Sequence, residues 1–379
     1  MDFSLHDDHI ALRDAVQRFC DGEYPAQHRG QPETAPEAQR RLRALAELGL
    51  LGLPFGADVG GSEQGAVEVM LVAQELGRAL GGGAFVASTV MAGELITRLG
   101  SDTQKREWLP AMAQGEWHAS VAVHEADARY DWQQVHLTAR PVASPGGAAY
   151  RLDGRKTGVL HGDSAGLVLV LARTGGEARD RAGLTLLAVD AATAGVTVRG
   201  YDTLDGRRAA HLDFDNAVVP AHRVLGAPGE AADAMESALD AGIAALCAEA
   251  AGAVEALLAH TADHLRTRKQ FGAPLAKFQV LQHRVADMAI ALEQLKSMAC
   301  AAAMAVAAGE PVQRRRLVSA AKVLAGQLGR KAGLDAIQLH GGMGMTDECR
   351  VGHYAKRLIV IGQTLGDAAW HLQRVTPAR

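Results

Sequence analysis

Thr267-Arg268-Lys269-Gln270-Phe271-Gly272-Ala273-Pro274-Leu275, continued by Phe278-Gln279 and Leu281-Gln282, is the stretch on which the reading of this chain turns. A guanidinium makes forked hydrogen bonds to a pyrophosphate, and an aromatic ring covers a flat heterocycle. Gly and Pro turn the backbone sharply between two helices. The cluster therefore suits a dinucleotide. A plain helix-to-helix turn with solvated charges explains the same residue types and stays open at this point.

The flanks of the stretch are helical. Leu281, Val285, Met288, Leu292 and Leu295 are spaced by four, three, four and three, which is one buried stripe of an amphipathic helix. Helices are predicted over 231–265, 278–308 and 311–339, long enough to pack as a bundle. The most apolar segment, 241–259, carries Glu249 and Glu255, which are costly in hydrocarbon, so it is read as a buried helix rather than a membrane span.

Upstream the pattern changes to short β-type runs at 149–152, 167–171, 184–189, 196–198 and 211–214, separated by turn residues such as Pro145-Gly146-Gly147 and Asp153-Gly154. Before that lies another helical block, with Leu42, Leu45 and Leu48 at helical spacing and glycine-rich connections at 54–62 and 81–83. The expected fold class is α+β multidomain: an N-terminal helical domain (1–115), a central antiparallel β-domain (116–226) and a C-terminal four-helix bundle (227–379).

With 379 residues, 48% of them hydrophobic and 22% charged, the composition is that of a globular chain with room for several domains. A net charge of -4 without a long basic run argues against nucleic acid as a partner. The start, Met1-Asp2-Phe3-Ser4-Leu5-His6-Asp7-Asp8, has acids where a secretory leader has a basic segment, so a cytoplasmic location is expected. Cys20, Cys247, Cys300 and Cys349 are far apart and read as buried thiols. His260 and His264 share a helical face as zinc pairs do, but Thr261 stands where a metalloprotease helix has glutamate. Two histidines on a solvated face, and no metal, is the expectation.

The Arg268 loop resembles the FAD-binding signature of the acyl-CoA dehydrogenase family, an Arg-x-x-Phe-Gly turn by which one subunit holds its neighbour's cofactor. Gln338-Leu339-His340-Gly341-Gly342-Met343-Gly344 is similar to the family's Gln-x-x-Gly-Gly-x-Gly segment. The segments 45–54 and 75–80 and the pair Gly60-Gly61 also resemble family segments in order, so the likeness spans nearly the whole chain. It implies the acyl-CoA dehydrogenase fold, FAD at a subunit interface, an acyl-CoA substrate, an electron-acceptor flavoprotein and a dimer or tetramer. By the same resemblance Arg268, Gln270, Phe271, Gln279, Gln338, Gly341 and Gly342 are the FAD contacts.

The chain departs from the family where the chemistry sits. The reaction needs a carboxylate base, usually in Ile-Tyr-Glu-Gly-Thr, and this chain has Gln363-Thr364-Leu365-Gly366-Asp367, which puts Leu365 at the glutamate's place. The alternative position used by some members falls on Gly242. Asp367, the only acid after Glu348, is the remaining candidate base. Asp240 corresponds to a position near the substrate's thioester arm and is the candidate substrate contact. Gly158 and Leu160 stand where the flavin-flanking strand usually has Trp and Thr or Ser, and His124 replaces the threonine of a Thr-Glu-Pro loop. Residues for a neighbour's FAD are kept, whereas those for the chain's own flavin are eroded. Three readings follow: a dehydrogenase, alone or with its base from a partner; a silent partner subunit of a mixed, steroid-type oligomer; and a related flavin monooxygenase or nitroalkane-oxidising enzyme.

Overall fold

The structure is a computed structural model that describes residues 5–25 and 33–375. The first four residues, on which part of the leader reading falls, lie outside that range, as do the outermost positions of the first and last expected domains.

The N-terminal block comprises α1 (Asp7–Glu23), α2 (Ala35–Glu47), α3 (Ala66–Arg78), α4 (Gly93–Leu99) and α5 (Asp102–Ala113). Local chemistry marks the starts: Thr34 with Glu37 and Ser101 with Gln104 form capping boxes on α2 and α5. Leu42 and Leu45 are buried as their spacing implies, whereas Leu48 lies beyond the helix end and is exposed. A π-helical turn, Val86–Ala92, runs directly into α4. Such widened turns are frequent at functional sites.

The central domain is an eight-stranded sheet. Its strands are β1 (Ala119–Ala122), β2 (Thr138–Ser144), β3 (Gly147–Leu160), β4 (Leu167–Arg173), β5 (Leu184–Val189), β6 (Val196–Asp202), β7 (Arg208–Pro220) and β8 (Val224–Leu225). They run in the order β6-β7-β3-β2-β4-β5-β8, with β1 beside β4. The expected antiparallel sheet is thus antiparallel for the most part: β1, entering from the helical block, and the start of β2 both pair parallel with β4. The periodicity missed β1 because all four of its residues are buried, which leaves no alternation to detect. It missed β2, where Arg140 and Pro141 at its centre weaken a strand signal.

The C-terminal bundle is built on α6 (Ala232–Thr267), which is followed by the short hairpin strands β9 (Lys269–Gln270) and β10 (Ala273–Pro274). Then come α7 (Gln279–Ala308), α8 (Pro311–His340), α9 (Arg350–Gln363) and α10 (Ala368–Val375). Gly309 at φ 71 closes α7, and Glu310 caps α8 by accepting from the Val312 and Gln313 amides ahead of Pro311 at the first turn. On α7, Met288, Leu292 and Leu295 are buried while Leu281 and Val285 pack at the margin of the core. Among the described residues α6 and α7 are long and apolar enough to cross a membrane. The apolar window of α6 is 83% buried inside the protein, which accounts for its composition as a core helix. Two glycines let α6 approach α3: a Cβ on Gly77 would meet the Glu249 carbonyl at 2.1 Å, and one on Gly252 would meet the Gln74 carbonyl at 1.8 Å.

Candidate active site and dinucleotide loop

The Arg268 stretch forms a two-residue hairpin turn between β9 and β10, with Phe271 at φ 54 and Gly272 at φ 77. Two successive left-handed residues are the geometry of a tight type I′ turn, easy for glycine and costly for phenylalanine. The Phe271 ring is nevertheless 89% exposed, touching only the edge of Phe278 at 6.0 Å between centroids among the described rings. Arg268, Gln270 and Gln279 are exposed as well. Among the described residues no side-chain hydrogen bond or ion pair of Arg268 is formed, so its guanidinium faces outward. Gln338, Gly341 and Gly342 are exposed at the end of α8, and a Cβ on either glycine would meet nothing within 4 Å. The outward groups offer what a flat, anionic dinucleotide would need: donors, a ring and accessible backbone, with no hydrogen bond or ion pair among the described residues engaging the Arg268 guanidinium.

The inward crevice is built differently. Its walls are Ala87 and Met91 from the π turn, Val121 on β1, Val123 and His124 just after it, Thr157, Gly158 and Leu160 on β3, and Leu365. The void they leave is about 20 Å³. Pockets that take cofactor-sized ligands run to several hundred cubic ångströms. A Cβ built on Gly242 would lie 2.7 Å from the Met91 sulfur and 3.5 Å from a Leu365 methyl. The two positions at which the resemblance leads one to expect a base thus lie side by side, packed against the Met91 side chain. An isoalloxazine ring does not fit this crevice as it stands.

His124 is the one polar side chain turned toward the void from this loop. Both ring nitrogens are buried without a hydrogen-bond partner, and burial, with Lys156 nearby, lowers the imidazole to about 4. It is neutral at pH 7. The neighbouring Glu125 is engaged elsewhere, accepting from the fully buried Lys156 at 2.8 Å and from the His136 and Leu137 amides.

Asp367 lies at the start of α10, where its carboxylate accepts the Trp370 amide at 2.8 Å. This is helix capping. Leu365 itself sits at φ 58, and the bend it makes is pinned by Lys322 donating to the Gly366 carbonyl at 2.6 Å and by His371 donating to the Leu365 carbonyl at 3.0 Å. Asp240 is wholly buried and paired with Arg314 at 2.9 Å, with Arg374 at 3.5 Å. Burial raises its carboxyl even against these two cations. Asp240, the expected substrate contact, is thus engaged by the chain's own arginines.

Met91 and the ion-pair partners of Glu249 escaped the sequence reading. Met91 carried no signal, since a methionine in an apolar helix looks like core. Glu249 joins Arg357 (2.7 Å), Arg207 (2.7 Å) and, through Arg357, Asp205 (2.8 Å) in a buried network linking α6, α9 and the β6–β7 turn. Burial alone would raise the Glu249 carboxyl, but Arg207 and Arg357 hold it below the usual range. The expected solvated histidine face of α6 is also corrected: His260 and His264 are half-buried, one 5.9 Å from the Tyr354 ring and the other stacked on His340. Among the described residues no three His, Cys, Asp or Glu side chains come together as metal ligands would. Cys20 and Cys247 are buried, whereas Cys300 and Cys349 are only half so.

Residues 6–116, 120–217 and 232–375 match the families described as acyl-CoA dehydrogenase N-terminal, middle and C-terminal domains. By sequence the chain is 27% identical to a probable acyl-CoA dehydrogenase, YngJ, of Bacillus subtilis, covering 100% of this chain and 99% of that one. By structure it is similar to butyryl-CoA dehydrogenase of Megasphaera elsdenii, with a TM-score of 0.88 at 24% identity over 99% of this chain and 98% of the other. It is also similar to the steroid ACAD Tcur3481-Tcur3483, with a TM-score of 0.85 at 26% identity over 97% and 96%.

Proposed function

Because this chain belongs to the acyl-CoA dehydrogenase family, we propose that it works in the FAD-dependent α,β-dehydrogenation of an acyl-CoA thioester as a subunit that completes a neighbour's FAD site. The catalytic base and the reacting crevice come from a second kind of polypeptide. FAD, when bound, would accept the hydride that leaves the β-carbon and pass electrons to an acceptor flavoprotein. Arg268, Gln270 and Phe271 would bind and cover the dinucleotide, Gln279 and Gln338 would hydrogen-bond it, and Gly341 and Gly342 would let backbone approach it.

The observation that carries this reading is that Leu365 and Met91, both packed against Gly242, line a void of about 20 Å³ into which no carboxylate among the described residues opens. A proton acceptor at the α-carbon has no candidate there, since Asp367 caps a helix and Asp240 is held by arginines. Exposed apolar groups near the dinucleotide loop, Phe271 and Val280 with Met343 and Met345, support an interface on that side. A steroid-type acyl group for the assembly is supported by the likeness to the steroid ACAD.

Native mass spectrometry of the chain purified with whatever binds it in its own host tests the proposal. A mixed oligomer with fewer FAD molecules than subunits is expected, and the chain alone should not have its flavin bleached by an acyl-CoA. A yellow homo-oligomer with one FAD per chain, reduced by an acyl-CoA, would overturn it.

A further inference from the structure

Behind the dinucleotide loop the rings of His264 and His340 lie face to face, centroids 4.2 Å apart and planes 24° from parallel. His264 stands in the last turn of α6, and its carbonyl accepts the Arg268 amide at 2.8 Å, so its backbone sets where the hairpin begins. His340 is the last residue of α8, directly before Gly341 at φ 64. One ring pair therefore joins the two segments assigned to the dinucleotide. His340 Nδ1 lies 2.8 Å from the Ala336 carbonyl; a carbonyl only accepts, so Nδ1 carries the proton and Nε2 keeps the lone pair in the neutral ring.

This step rests on the reading above that the hairpin and the Gly341-Gly342 segment meet FAD together. We propose that His264 and His340 are positioning residues, which hold those two segments in register through an uncharged ring stack and let them part when the pair takes up protons. The charged groups bearing on the stack are Arg268, just past the end of α6, which opposes a proton on His264, and Asp263 on α6, which favours one. From α8 the stack meets the Ala336 carbonyl, which favours a proton on His340. Burial leads in lowering both imidazoles below their ordinary 6.5, and at His264 the facing His340 adds to it. The sign follows: both rings are neutral above the unfolded value, and the stack's contribution is lost as pH falls below it. A second cation in a stack this close, beside Arg268, is strongly opposed. An aromatic pair without titratable nitrogens keeps the contact and removes the dependence.

The test compares the assembly as isolated from its host with the same assembly carrying His264→Tyr and His340→Phe. FAD retention is read by flavin fluorescence after gel filtration between about pH 7.5 and about pH 5.5. Backbone hydrogen exchange over 268–275 and 341–346, corrected for its intrinsic pH dependence, gives a readout that needs no cofactor. The unaltered chain should lose FAD affinity by about tenfold across this range, with both segments exchanging faster together, while the double variant stays flat. Equal slopes in the two proteins, or exchange that rises in only one segment, would sink the proposal. Arg268→Ala at the upper pH separates the two levels: if FAD is retained unchanged, the interface reading has failed, and exchange alone then decides the role of the ring pair.

Discussion

Phe271 costs the isolated chain something and gives it little in return: a left-handed φ of 54 and a ring 89% exposed. Replacing it with glycine removes strain of about 1 kcal/mol and loses almost no packing. Phe271→Gly is therefore expected to leave the melting temperature of the lone chain unchanged or slightly raised, while FAD retention by the assembly falls. A drop in melting temperature would show that the ring serves this chain's own fold. Arg357 is the opposite case, being buried between Glu249 and Asp205. Arg357→Leu leaves two carboxylates buried with reduced compensation, and denaturant unfolding should show a loss of about 3–5 kcal/mol. Counting along the chain singled out Leu365 and Gly242, which the structure places together beside Met91. It could not find Met91 or the Arg357 network, because both depend on which distant helix faces which, and no local residue pattern encodes that.

Helix α6 shows how far element-level reading goes. Its limits are legible in the sequence to within two residues at each end, because the helical pattern is long and the Arg268 turn ends it. What the sequence did not reveal is that Gly77 and Gly252 are contact points rather than weak spots, since a glycine inside a helix gives no hint of a neighbouring backbone. Gly77→Ala or Gly252→Ala should each cost about 1–3 kcal/mol by forcing α3 and α6 apart. Gly22→Ala, in α1 with open space around it, should be neutral or stabilising by up to about 1 kcal/mol. Urea unfolding of the three variants decides the matter: if all three behave alike, the close approach carries no energetic weight. Strand β1 lies at the other extreme, its buried residues giving no period to read.

At the scale of the molecule, the order of helical block, sheet and bundle was legible from changes in hydrophobic period, while the parallel pairing of β1 with β4 was not, because strand partners are set by long-range packing. The interior also sets an acid limit. Burial lowers His161 to about 3, with Arg207 adding to it, and burial likewise lowers His371 to about 3 and His124 to about 4. In the unfolded chain each titrates near 6.5, so below that pH the unfolded state binds more protons and stability falls as pH falls. Each such histidine contributes up to about 1.4 kcal/mol per pH unit across that window. Unfolding midpoints measured down from neutral pH should drop steeply, and a flat profile between about pH 6.5 and about pH 4 would contradict the buried neutral state of these rings.

The meeting of Met91, Gly242 and Leu365 also bears on the history of the chain. An acid placed at 242 would collide with the Met91 side chain, and one placed at 365 would enter a cramped void whose lining holds no cation. Recovery of a proton acceptor thus requires at least two coordinated replacements, neither useful by itself. On the proposed reading, in which a companion polypeptide supplies the base, such a dependence would be hard to lose once acquired.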